Sequence, residues 1–138
     1  MRALVQRVRH ASVAVDGRQV AAIDEGLLIL LGVGRDDTES AAARLADKVR
    51  DLRVFDDDEG RMSEALTDRE TLCISQFTLY ARTNKGNRPS FTDAAPAEDA
   101  EPLYERFCER LGSKRGVFGA RMAIELVNDG PVTLMLEA

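Results

Sequence analysis

The chain has 138 residues, 44% of them apolar, and a net charge of −5. A chain of this length buries ~68–70% of its unfolded surface, so it needs no disulfide or metal staple, and residues 1–138 read as a single domain. The acidic balance argues against sequence-blind binding to DNA, which rests on many Lys and Arg; one end of an RNA needs only a local basic patch.

Neither cysteine suggests a staple. Cys73 lies in the apolar run Leu72-Cys73-Ile74, Cys108 on the inner face of a late helix, and no C-x-x-C spacing exists. Both read as reduced core residues of a cytoplasmic protein. Met1 to Val5 leads straight into amphipathic sequence, with no secretory leader. The longest apolar run, Leu27 to Leu31, is far short of the ~20 residues of a membrane helix, so no membrane association is expected.

In chain order, Leu4 to Val8 and Ser12 to Val15 alternate as half-buried strands. Asp16-Gly17 signals a hairpin with Gln19 to Ile23 as its return. Leu27 to Val33 is continuously apolar and reads as a central strand covered on both faces. A helix follows, capped by Asp37 or Thr38, with Ala42, Leu45, Val49 and Leu52 on its inner face. Arg53 to Phe55 returns to extended structure, and Thr71 to Leu79 reads as another strand. Residues 82–96 are a loop. A second helix spans roughly Ala97 to Leu111, with Ala100, Leu103, Tyr104, Phe107, Cys108 and Leu111 inward; Pro102 fits only if it starts late. Strands near Met122 to Val127 and Val132 to Glu137 follow, with Asn128-Asp129-Gly130-Pro131 turning the chain between them. The class is α/β of the α+β type: largely antiparallel, barrel-like sheet with two main helices packed outside.

The usual catalytic kits are missing: no G-x-S-x-G, no H-E-x-x-H, no Walker loop. His10, the one histidine, sits between two strands and reads as a turn or surface residue. The acidic run Asp56 to Glu59 reads as a solvated turn; a calcium loop wants a glutamate at its twelfth position, where Thr67 stands. No metal or cofactor is expected. Two segments are unusual for scaffold. Ser75-Gln76-Phe77-Thr78 places three polar side chains where an apolar strand emerges, which suits a pocket mouth; from spacing alone the plainer reading, a strand end simply turning polar, is favoured. Asn128 to Thr133 reads locally as a plain turn, but an X-Pro bond takes the cis form at ~0.5–1 kcal/mol, and a cis Gly-Pro presents a rigid wall of carbonyls.

Those two segments together resemble the signature pair of the D-aminoacyl-tRNA deacylase family. Met1 to Val15, Gly26 to Val33, Arg88-Pro89-Ser90-Phe91 and Gly116 to Ala120 are similar to that family in the same order, so the resemblance runs end to end. It departs in a shorter link before Gly116, in Ser63 where asparagine is common, and at Arg121. The resemblance implies hydrolysis of the ester of D-aminoacyl-tRNA by a homodimer, with the tRNA 3′ end and acceptor stem as partner. It implies a site built on Ser75, Gln76, Phe77 and Thr78, faced by Gly130 and Pro131 of the other subunit, with Arg7 fixing the Gly-Pro element. Phe118 and Met122 match positions near the terminal adenosine. It also implies rejection of L-aminoacyl esters by steric collision and some action on glycyl-tRNA. With no triad, catalysis is expected to lean on positioning and on backbone amides near Phe77 and Thr78, with the tRNA's ribose hydroxyl assisting; a Thr78 nucleophile stands as the alternative. Arg82, Lys85, Arg88, Lys114, Arg115 and Arg121 are candidate contacts to the acceptor stem or ordinary surface charge. The rival readings are an RNA-binding module on the same fold, an editing enzyme for misplaced L-amino acids, and a purely structural dimer.

Overall fold

The two alternating segments at the start belong to one strand, β1 (Arg2–Val15), in a computed structural model that describes residues 1–138. Ala3 and Val5 are buried on one face of β1; Val8, Ala11 and Val13 join a second cluster on the other. The side-chain parity switches at exposed Arg9 and His10, where the pairing register slips. Such a bulge bends a strand and turns its side chains over. His10 therefore lies inside a strand, not between two. Asp16 and Gly17, both at positive φ, turn β1 into β2 (Arg18–Ile23).

β3 (Gly26–Gly32) is the covered central strand, antiparallel to β1 and parallel to β6 (Glu70–Ser75). Its odd residues Leu27, Ile29 and Leu31 pack towards the helices, and Leu28 packs into the opposite cluster with Leu72 and Ile74. The chain reaches β6 through α1 (Glu39–Asp51) and the small hairpin of β4 (Phe55–Asp56) and β5 (Met62–Glu64). Thr38 caps α1, its hydroxyl accepting from Ala41 N at 3.2 Å. In the β4–β5 turn the Asp57 carboxylate accepts from Glu59 N, Arg61 N and the Ser63 hydroxyl at 2.9, 3.0 and 2.7 Å. The acidic run is thus an internally bonded turn.

α2 (Ala97–Leu111) lies beside α1 on the same face of the sheet, with Ala100, Tyr104, Phe107 and Cys108 buried. It runs over the expected span and carries Pro102 in its interior, where a proline was expected to fit only if the helix started late. Proline withholds one hydrogen bond from the Glu98 carbonyl, and Glu98 and Pro102 are both exposed, so that carbonyl is not stranded in the core. Both cysteines are buried and unpaired, and burial pushes the Cys73 thiol up. β7 (Lys114–Arg115) adds parallel to β6. The sheet order is β2-β1-β3-β6-β7, and its curl brings the two ends together: Lys114 Nζ donates to the Ala22 carbonyl at 2.8 Å. The result is mostly sheet, nearly closed like a barrel, with two helices outside. No helix is long and apolar enough to cross a membrane.

The last element overturns an expectation. Residues 123–137 are one strand, β8 (Ala123–Glu137), antiparallel to β1 along nearly its whole length, not a hairpin. The Asn128 to Pro131 segment does not reverse the chain. Gln6 faces Thr133 and Val8 faces Asn128, so Asp129 to Val132 stand opposite Arg7 alone and bulge out of the sheet.

α1 and α2 are tied by Asp47, which accepts from Arg110 Nε and Nη2 at 2.8 and 2.9 Å and from Arg50 Nη2 at 2.8 Å. The Arg110 hydrogen bond first, then Arg50, holds the Asp47 carboxyl down to about 2. A carboxyl depressed in the folded state stabilises above its unfolded pKa, ~3.9, and loses that contribution as pH falls through the folded value. Melting curves should therefore show wild type above Asp47→Asn at pH 6, with the gap closing as pH falls from about 4 towards 2.

Candidate active site

The strand β6, expected to run to Leu79, stops at Ser75, and Phe77–Tyr80 form a 3-10 turn. Gln76 N donates to the Leu31 carbonyl at 2.8 Å, pinning the turn to β3. Arg2 Nη1 donates to the Leu79 carbonyl at 2.8 Å while its guanidinium lies 4.5 Å from the Tyr80 ring centre. That ring lies on Gly34: a Cβ there would sit 2.9 Å from Tyr80 ring carbons. A bare position at the end of β3 is what lets the turn dock. Burial first, then the Asp37 carboxylate, pushes the Tyr80 phenol up to about 12, so it stays neutral.

The turn opens onto a cleft of about 630 Å3. Ser75, Gln76 and Phe77 line one side; Phe118, Met122 and Ile124 line another; Val33, Ala94, Ala95, Pro96 and Ala100 close the floor. Thr78 is exposed beside it and is not part of the lining. Phe118 is held by the Tyr104 ring, centroids 5.8 Å apart, and the Tyr104 hydroxyl is fixed by donating to the Cys73 carbonyl at 2.8 Å. The slot is mostly apolar, with the polar side chains of Ser75 and Gln76 beside the turn. The expected site residues outside the Gly-Pro element thus line this one cleft or its rim, Arg7 excepted.

The first bond closing the 3-10 turn is donated by Leu79 N to the Gln76 carbonyl at 3.2 Å. The N–H groups of Phe77 and Thr78 precede it and have no acceptor within the turn. The Thr78 hydroxyl accepts from the Gln76 side-chain amide. An amide donor takes no proton, so it does not activate the hydroxyl. His10 is not in the lining.

Gly130 and Pro131 are exposed and do not line this cleft in their own chain. They form the tip of the bulge in β8, and the bond between them is cis. The base of the bulge is closely held. Buried Arg7 donates from Nε to the Asp129 carbonyl at 3.0 Å and from Nη1 to the Val54 carbonyl at 2.7 Å. The Asn128 amide donates to the carbonyls of Arg7 and Val132 at 2.9 and 3.2 Å, and Val132 is buried in the main core. A Cβ at Gly130 would lie 2.6 Å from Asn128 Oδ1, so a side chain there displaces that clamp.

Of the candidate basic residues, Arg82 is paired with Asp93, Lys114 with Glu70 and Arg115 with Glu105. Lys85, Arg88 and Arg121 are exposed and make no ion pair. Sequence reasoning missed Arg35 and Phe91, which also line the cleft. An exposed aromatic in a polar loop was the available signal for Phe91.

A family model described as D-Tyr-tRNA(Tyr) deacylase matches residues 4–137. The chain is 57% identical to a D-aminoacyl-tRNA deacylase of Roseiflexus castenholzii, covering 100% of this chain and 92% of that protein. It is 49% identical to one of Chlorobaculum parvum, covering 100% and 98%. Among solved structures it is similar to a "c-Myc DNA Unwinding Element Binding Protein", with TM-score 0.94, 43% identity, and 100% and 99% of the two chains covered. It shares its fold with a probable eukaryotic D-amino acid tRNA deacylase, with TM-score 0.87, 16% identity, and 99% and 98% coverage.

Replacing Arg7 with Ala removes a charged donor from two carbonyls and should cost about 2–4 kcal/mol in urea unfolding. Hydrogen exchange should accelerate at 128–132 well beyond the change at β3. Equal acceleration at both places would contradict a local anchor.

Proposed function

The chain belongs to the D-aminoacyl-tRNA deacylase family and is a hydrolase, and on that premise we propose how its residues act. The substrate is tRNA carrying a D-amino acid in ester linkage, and the products are the free amino acid and tRNA. The observation that carries this reading is the shared cleft: the Ser75-Gln76-Phe77 turn and the Phe118–Met122 slot line one cavity in a chain of this family.

The terminal adenosine enters the apolar slot against Phe118 and Met122. This sets the ester carbonyl over the start of the 3-10 turn. The Phe77 and Thr78 amides receive the negative charge that develops on the carbonyl oxygen as water attacks. The water's proton passes to the departing ribose oxygen, with the neighbouring ribose hydroxyl placing the water. Thr78 positions; its amide-bonded hydroxyl does not attack. Lys85 and Arg88 meet acceptor-stem phosphates.

Chirality is read by exclusion. Two chains form a homodimer in which Gly130 and Pro131 of one cover the Ser75–Thr78 turn of the other. β8 supports such pairing, because it is an edge strand carrying exposed Val127, Leu134 and Met135. Carbonyls of the corner hold the amino group, an L side chain collides with it, and a D side chain points outward. Nothing grips the D side chain, so its identity matters little, and glycine escapes the collision. The reaction belongs to the cytoplasm, where charged tRNA is used. The 43% identical neighbour is called a DNA-binding protein, but the net charge of −5 gives no support to such a role for this chain.

Purified protein mixed with D-tyrosyl-, L-tyrosyl- and glycyl-tRNA should release the D-amino acid fast, glycine measurably and the L-amino acid not at all. Equal D and L rates would remove the chirality claim, and inert glycyl-tRNA would remove the steric wall. Thr78→Ala should keep activity within about tenfold of wild type, whereas losing a nucleophile typically costs far more, ~10⁴-fold or beyond.

A further inference from the structure

The loop after the 3-10 turn is built more tightly than its polar sequence suggests. Arg82 N donates to the Ser90 carbonyl at 2.7 Å and Ser90 N returns to the Arg82 carbonyl at 2.9 Å, closing a narrow ring. The Arg82 guanidinium then crosses to Asp93, Nη2 to Oδ1 at 2.8 Å and Nε to Oδ2. Arg35 N donates to the Asp93 carbonyl at 3.3 Å and Ala95 N to the Val33 carbonyl at 3.0 Å, fastening the far limb to the end of β3. This strap carries Phe91. Its ring meets Phe77 edge to face, centroids 5.0 Å apart and planes at 71°. Phe77 is 55% exposed and Phe91 37%, so burial alone does not hold the two rings together. The strap does.

We propose that Arg82 and Asp93 are positioning residues for ester hydrolysis: their two-pronged pairing holds Phe91 against Phe77 and so fixes the turn that presents the Phe77 and Thr78 amides. The inference rests on the deacylase reading and deepens it. It also reassigns Arg82, whose charge would otherwise suggest a phosphate contact. Two of its three guanidinium nitrogens, Nε and Nη2, are already engaged by Asp93, whose carboxylate beside them disfavours a second anion at the remaining Nη1.

The test is a kinetic cycle with D-tyrosyl-tRNA on wild type, Arg82→Ala, Arg82→Lys, Asp93→Asn and the Arg82→Ala/Asp93→Asn double variant. Each single change should lower kcat about tenfold, the scale of a sub-ångström misplacement, with KM within about twofold. The double variant should be no worse than the worse single one. Arg82→Lys should fail like Arg82→Ala, because lysine keeps the charge but not the fork. Phe91→Ala should reproduce the loss and Phe91→Tyr should restore most of it. Melting temperatures should barely move, since an exposed pair adds little stability. A phosphate contact predicts the opposite pattern: Arg82→Ala raises KM and flattens the salt dependence, Arg82→Lys rescues, and Asp93→Asn leaves kcat intact or tightens binding. That pattern overturns the strap. Unchanged kcat in active Asp93→Asn overturns the strap alone, whereas wild type inert towards D-tyrosyl-tRNA overturns the deacylase reading and this role with it.

Discussion

Between Thr133 and Asn128, β8 places four residues opposite the single Arg7 of β1, while the two strands pair regularly from Arg2 to Gln6 and from His10 to Ala14, with a second slip at Arg9. The surplus chain has to leave the sheet. Where it goes is set by Arg7, which donates to the Asp129 carbonyl from a buried position, by the Asn128 amide across the base, and by Val132 returning to the core. A bulge anchored at its base and its return limb is rigid although its tip is exposed. Backbone polar groups that leave a sheet need partners elsewhere, and here Arg7 and Asn128 supply them to the Asp129 and Val132 carbonyls. That constraint presents Gly130 and Pro131 outward as a fixed corner, not as a floppy loop.

The second constraint is the end of β3. Its last residues receive the 3-10 turn from one side and the 82–96 loop from the other, through Leu31, Gly34 and Val33. The cleft lies between them because neither segment continues the sheet. A strand end that gives way to a short turn leaves backbone N–H groups unpaired, and Phe77 lines the slot together with Phe118 and, from α2, Ala97 and Ala100. On the proposed reading, the chemistry needs only those amides, an already activated ester and a substrate placed well, so the chain's poverty in catalytic side chains is no obstacle.

Local pattern carries much of the architecture. The apolar run at β3, the Thr38 cap and the periodicity of α1, and the inner face of α2 are readable because each follows from burial or capping within a few residues. Three features are not. Asn128 to Pro131 has turn chemistry whether the chain reverses or bulges, and only the full length of β1 decides between them. Phe77 to Tyr80 has strand-like composition, but Gly34 gives the Tyr80 ring a seat that pulls the segment into a turn; tertiary packing outweighs propensity here. Pro102 suggests a late helix start, although losing one hydrogen bond at an exposed face is tolerable. The signature residues come from resemblance to a family, while Arg35 and Phe91 enter the site only through long-range docking of a loop.

The measurement that bears most directly on the exposed corner is subunit complementation. One chain carries Gly130→Ala with Pro131→Ala, the other Gln76→Ala with Phe77→Ala, and the two are unfolded together, refolded and assayed on D-tyrosyl-tRNA. If each corner serves the neighbour's turn, mixed dimers contain one intact composite site, and activity should rise to roughly a quarter of wild type while either variant alone stays near background. Activity that remains at the average of the two variants, with mixed dimers demonstrably formed, would mean that corner and turn do not meet across subunits.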